Sequence, residues 1–115
     1  MKNIVLIDWL SFSSNEHSVD SMLKLLGLDH IQKISWQKLN GVRGYKNRIH
    51  FGGININYTK VDNFGNEEGG VWVEMSGAGC RTFDSFSSVD WSVVFYVVDR
   101  KWNKFFWEVV CSIVV

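Results

Sequence analysis

Apolar positions recur with a period of two in several stretches of the chain and with a helical period in another. From Lys2 to Ser13 the residues are apolar and β-branched at the start, and Val5, Ile7, Trp9 and Ser11 alternate onto one side, which predicts a strand. Val19, Met22, Leu23 and Leu26 then fall at helical spacing between Ser18, a helix-starting residue, and Gly27, a helix-ending one. Residues 18–27 therefore predict a short amphipathic helix. Farther on, Arg48-Ile49-His50-Phe51 and Ile54-Asn55-Ile56-Asn57-Tyr58 flank Gly52-Gly53, and glycine supplies the positive φ that a two-residue hairpin turn requires. In the second arm Ile54, Ile56 and Tyr58 alternate with Asn55 and Asn57, so one sheet face is expected to be covered and the other polar. After a polar loop from Asp62 to Gly70 comes a third strand of this meander, with Val71, Val73 and Met75 on one face and Trp72 and Glu74 on the other. A second helix is predicted near residues 80–98. The aromatic and β-branched run from Phe105 to Val115 predicts a strand at a sheet edge, where it would be open to pairing with a second copy of the chain.

These elements predict one domain over residues 1–115 with an α+β fold, an antiparallel sheet of four to five strands and two helices. The 115-residue length, with 46% hydrophobic and 21% charged residues, agrees with one globular unit rather than a disordered chain. Six tryptophans are more than so small a core hides easily, so some are expected at a contact surface. Cys80 and Cys111 form no CxxC pair and no disulfide framework, which points to a reducing, cytoplasmic setting. The N-terminal apolar run is too short for a signal peptide, and Asp99, Arg100, Lys101, Lys104 and Glu108 interrupt the apolar C-terminal stretch, so no membrane span is predicted.

Charge changes the picture, because its balance hides a strong asymmetry. Between His30 and Lys60 stand Lys33, Lys38, Arg43, Lys46, Arg48 and Lys60 with no Asp or Glu, interleaved with Trp36, Tyr45, Phe51 and Tyr58. Cations for phosphates beside flat rings for bases suit a nucleic-acid surface, here drawn on Lys38, Arg43, Tyr45, Lys46 and Arg48; a solvated hairpin face is the competing reading. The turn Ser76-Gly77-Ala78-Gly79-Cys80-Arg81 also admits two readings. Gly77 and Gly79 at a helix start, with Arg81 beside them, would suit a phosphate. A tight strand-to-helix turn with Cys80 buried explains the same residues without a ligand, and the pattern is neither a P-loop nor a dinucleotide fingerprint.

Asp8-Trp9-Leu10-Ser11 near the N-terminus, the glycine-punctuated hairpin, and Val71-Trp72-Val73-Glu74-Met75-Ser76-Gly77-Ala78-Gly79-Cys80-Arg81, followed by a helix bearing Trp91, together resemble the opening part of the trans-acting rolling-circle replication initiators. That family holds plasmid Rep proteins, phage replication initiation factors and conjugative-transposon relaxases. The resemblance implies a HUH-nuclease-like, ferredoxin-like domain, present here in part. In the family, Mg²⁺ or Mn²⁺ polarises a phosphodiester and a tyrosine nicks one DNA strand. On that view Glu74, with His50 as a neighbour across the sheet, is the metal candidate, a solvated or arginine-paired glutamate being the plain alternative. The family's arginine-x-aspartate-x-alanine-x-aspartate strand has no counterpart in Phe105 to Val115, and Tyr96 lies among apolar neighbours that favour packing over catalysis. No catalytic residue is therefore assigned. The expectation is a truncated or degenerate initiator that binds DNA, against two others: a small interaction module using exposed tryptophans and the apolar tail, and, last, an intact nickase.

Overall fold

The computed structural model describes residues 4–15, 17–29, 35–92, 94 and 105–114. In chain order the elements are β1 (Ile4–Ser14), α1 (Val19–Leu25), β2 (Gln37–Asn40), β3 (Tyr45–Phe51), β4 (Ile54–Val61), β5 (Glu67–Met75), α2 (Gly77–Phe86) and β6 (Phe105–Val114). The strands form one sheet in the order β2-β3-β4-β5-β1-β6, and its neighbouring strands pair antiparallel. The α+β class and the antiparallel sheet are as expected. The sheet has six strands rather than four or five because the short edge strand β2 adds to the meander. β6 takes the opposite edge, as its composition predicted.

The core lies on one face of this sheet. Leu10 and Phe12 from β1, Ile54 and Ile56 from β4, and Val71, Val73 and Met75 from β5 are all buried there with Met22, Leu26, Leu28, Cys80 and Phe83. α2 packs over β1, β4 and β5, and α1 reaches β5. Helix α1 begins with reciprocal capping: Ser18 Oγ accepts from the Ser21 amide at 3.1 Å and Ser21 Oγ accepts from the Ser18 amide at 2.9 Å. It ends in a Schellman turn, with Gly27 at φ +67° and the Leu28 amide donating to Leu23 O at 2.9 Å.

Two expectations need correction. In β1 the pairing with β6 shifts register between Ile7 and Trp9, so the alternation changes phase at Asp8. Ile7 is buried, but the inward residues beyond the bulge are Leu10, Phe12 and Ser14 instead of Trp9 and Ser11. The second helix is also shorter than residues 80–98. It starts at Gly77 and stops at Phe86, where Ser87 turns extended (ψ 142°) and its hydroxyl donates to Leu26 O at 2.5 Å. The Ser88 amide donates to Gly27 O at 3.0 Å, which ties this break to the end of α1. Helical backbone resumes at Trp91, and the rest of the expected helix, Tyr96 included, lies outside the described residues.

The Gly-rich turn is a packing device. The β3–β4 turn carries Gly52 at φ +55° and Gly53 at φ +89°, the two positive values a type I′ hairpin needs. This turn presses directly on the start of α2: a Cβ at Gly79 would stand 2.2 Å from Gly53 O, and one at Gly53 would stand 2.5 Å from the Gly79 amide nitrogen. Thr82 Oγ1 donates to Gly52 O at 2.6 Å and the Ser76 amide to Gly53 O at 3.3 Å, clamping the same contact. Gly79→Ala should therefore destabilise the domain by about 2–3 kcal/mol through a backbone displacement. Gly77→Ala, whose Cβ meets only Asp8 O at 3.5 Å, should be neutral or slightly stabilising. Thermal melts check this: a drop of roughly 10 °C is expected for the first substitution and none for the second.

Candidate nucleic-acid interface

With both helices on one face, the other face of the sheet carries the side chains that alternate with the core. Two cross-strand rows can be followed in register over all six strands. The first runs Gln37, His50, Asn55, Glu74, Ser11, Glu108; the second runs Leu39, Arg48, Asn57, Trp72, Ser13, Phe106. The first row is polar at every position; in β1, β3, β4 and β5 the core residues stand one step away. His50 Nδ1 and Asn55 Oδ1 are hydrogen-bonded at 2.9 Å within it.

Trp72 is the centre of the second row. It is 9% exposed, its indole N–H donates to Ser11 Oγ at 2.8 Å, and Tyr45 stacks on it with ring centroids 6.4 Å apart. The Arg43 guanidinium carbon lies 4.6 Å from the Trp72 ring centroid, within cation–π range. Arg43 reaches this place from the tight turn joining β2 to β3, where Arg43 and Gly44 have φ +55° and +88° and the Tyr45 amide donates to Val42 O at 3.1 Å. A left-handed φ at a long side chain carries strain. Beneath the turn, Asn57 is 1% exposed; its Oδ1 accepts from the Val42 amide at 3.3 Å and its Nδ2 donates to Trp72 O at 3.5 Å. The expected all-polar face is thus partly roofed, because the β2–β3 turn and its arginine fold over β4 and β5. Burial pushes the Tyr45 phenol above its ordinary pKa of 10.0, which leaves it neutral and unactivated at physiological pH.

The sequence-predicted residues divide between two sides of the molecule. Arg43, Tyr45, Lys46 and Arg48 come together on β3 and the turn before it, and Lys60 joins them on β4; Lys38 lies beside them on β2, but it pairs in register with the core residue Ile49 and so alternates onto the helix side of the sheet. Residues 37–61 contain no acidic side chain. Lys38, Arg43, Lys46 and Lys60 are exposed, whereas Arg48 is half-buried with no hydrogen-bond partner at Nε among the described residues. Lys46 is already paired, its Nζ 2.8 Å from Glu67 Oε1, and that contact raises its pKa above the ordinary 10.5. Lys33 lies outside the described residues. Gly77, Gly79 and Arg81 sit apart from this group, in the helical layer on the other face. There Gly79 serves the contact with Gly53, and Arg81 hydrogen-bonds Ile7 O through Nη2 and pairs with Asp84 at 3.5 Å through Nε.

Glu74 and His50 do not meet as neighbours. Both are in the polar row, but β4 stands between β3 and β5, so Asn55 separates them by two strand spacings, about 10 Å. No group of three or more His, Cys, Asp or Glu placed to hold a metal ion exists among the described residues. The donor set described here does not fit a Mg²⁺ or Mn²⁺ site. Of the tryptophans whose side chains are described, Trp9, Trp36 and Trp91 are half-buried and Trp72 is buried, so none of these four is the exposed contact residue that the interaction-module alternative expected. Sequence reading missed Asn57 and the Arg43 turn. An asparagine between Ile56 and Tyr58 in an alternating strand looks solvent-facing, and nothing local reports that a distant turn will cover it.

An antiparallel sheet with the described helices on a single face and an acid-free, cation-bearing edge defines an α+β domain. The chain belongs to the family of rolling-circle replication initiation protein N-terminal domains, which it matches over residues 4–108. It is also similar, with 31% identity over 84 residues, to a Bacillus subtilis (strain 168) protein named "Putative DNA relaxase NicK". The alignment covers 72% of this chain and 22% of that relative, so the chain spans about a fifth of the relative's length. No solved structure matches it. No helix among the described residues is long and apolar enough to cross a membrane.

The buried asparagine offers a check on the roofed face. Asn57→Ala should cost about 1–3 kcal/mol, since it strips partners from the Val42 amide and from Trp72 O. Asn55→Ala, at a half-buried position where it removes a single hydrogen bond with His50, should cost less, about 0.5–1 kcal/mol. Urea unfolding of the two variants measures the difference as a shift in midpoint at constant slope.

Proposed function

We propose that this domain is the DNA-engaging N-terminal part of a rolling-circle replication initiator of a plasmid, phage or related mobile element, acting in the cytoplasm, and that it holds DNA without cutting it. The observation that carries the reading is the three-strand edge β2–β4, which has exposed Lys38, Arg43 and Lys60, no acid, and the Tyr45–Trp72 stack beside it. Phosphates repel one another and are drawn to such an edge by counterion release, a force that needs no sequence-specific contact. Family membership supports the same ligand class. Arg43, in contact with both solvent and the indole, is placed to exchange its cation–π contact for a phosphate.

Binding that uses about four phosphates should give a slope of log affinity against log salt of roughly −3 to −4. The triple variant Lys38→Ala, Arg43→Ala, Lys60→Ala should flatten that slope to about −1, while Lys46→Ala, which removes a cation already opposed by Glu67, should change it by less than about one. Titrations at a series of salt concentrations test both. Salt-independent binding, or no binding in low salt, overturns the proposal.

Strand cleavage requires a metal and a nucleophile converging on one phosphate, and the described residues gather no such set. Incubation with supercoiled plasmid and Mn²⁺ should therefore leave no covalent protein–DNA adduct on a denaturing gel. An adduct that disappears in Tyr96→Phe would mean that this chain carries its own nucleophile.

A further inference from the structure

We propose that Phe64 is a wedge that enters a base step of duplex DNA held against the adjoining cationic strands, an inference that rests on the DNA-binding reading above. Phe64 is 89% exposed, while Val42 and Phe86, the other exposed large hydrophobic residues described, reach 41%. The whole apolar face of the ring is therefore available to a partner, and burying it would be favourable. The loop around it is constructed to hold it there. Asp62 Oδ1 accepts from the Phe64 amide at 2.8 Å and the Asn66 amide at 2.9 Å, and Asp62 Oδ2 accepts from Asn66 Nδ2 at 3.2 Å. The Gly65 amide donates to Asp62 O at 3.1 Å and the Asp62 amide to Asn66 O at 3.0 Å. Hydrogen bonding led by the Asn66 amide keeps the Asp62 carboxyl below its ordinary 3.8, so the clasp persists at physiological pH. A side chain displayed on a pre-ordered loop loses little conformational entropy when it inserts.

Position selects the partner. Hairpins β2–β3 and β4–β5 reverse at the same end of the sheet, and the Val61 amide donates to Gly44 O at 2.8 Å, joining the base of the Phe64 loop to the Arg43 turn. Among the described acids at this end, Asp62 is engaged by its loop and Glu67 by Lys46 at 2.8 Å, while Glu68 stands opposite Lys60 in the strand register. Apolar side chains inserted between base pairs part the stack and kink the duplex, while nearby cations hold the phosphates. An initiator domain that loosens a base step in this way would favour strand separation where it binds.

Permanganate, which oxidises unstacked thymines, reads the effect on a duplex rich in TA steps at protein concentrations where gel shift shows equal occupancy. Wild-type protein should render thymines reactive. Phe64→Ala should bind within about threefold of wild type, with the same salt slope, yet lose that reactivity; Phe64→Leu should retain most of it. Equal reactivity with Phe64→Ala, or no reactivity with bound wild type, overturns the wedge and leaves the DNA-binding reading standing. Failure of wild type to bind in low salt removes both. If Phe64→Ala instead converts a self-associated chain to a monomer, the tip is a contact between copies and the wedge is wrong.

Discussion

The contact between two backbones, Gly53 in the β3–β4 turn and Gly79 in the first turn of α2, is the constraint on which the rest of the domain depends. No side chain fits between them. With that distance closed, α2 is locked over β1, β4 and β5, Cys80 and Phe83 are driven into the core, and the opposite face of the sheet is left without a helical cover. Gly79, one of the two glycines that suggested a phosphate site, thus serves packing, while Gly77 makes no such close contact. The Gly53–Gly79 contact decides which side of the sheet is left uncovered.

On that free side, charge and ring systems are sorted by strand order rather than by proximity in sequence. The three strands of the β2 edge are consecutive in the chain, so a local run of basic residues is gathered along one edge of the sheet, Lys38 on its helix side, without any long-range folding event. Tyr45 and Trp72, by contrast, meet only because β4 brings β3 and β5 to either side of itself. The interface combines a locally encoded electrostatic part with an aromatic part that exists only in the folded state.

The same distinction explains what could be read from sequence. The Gly52-Gly53 hairpin, the capped helix after Ser18 and the alternation in β5 depend on local chemistry, and each was legible. The bulge at Asp8 was not, because Ile7, Trp9, Leu10 and Phe12 are apolar in both phases of the strand and periodicity cannot choose between them. The end of α2 was hidden for a similar reason: its signal is the fit of Ser87 and Ser88 against Leu26 and Gly27, sixty-one residues away in each hydrogen bond. For the site, the cluster of cations was visible as composition, whereas the separation of His50 from Glu74 follows from strand order. A metal pair inferred from two polar strand positions fails once a third strand is threaded between them.

The strand order also has a temporal side. β1 is made first, yet it is an interior strand whose neighbours are β5 and β6, so Ile4 pairs with Val114 across nearly the whole chain. As the polypeptide leaves the ribosome, the meander β2–β5 has its hairpin partners to hand, while β1 must wait. Such long-range closure raises contact order and slows folding. During that interval the apolar first strand is a nascent segment without its native neighbours, a natural client for a chaperone that shields exposed β-forming sequence.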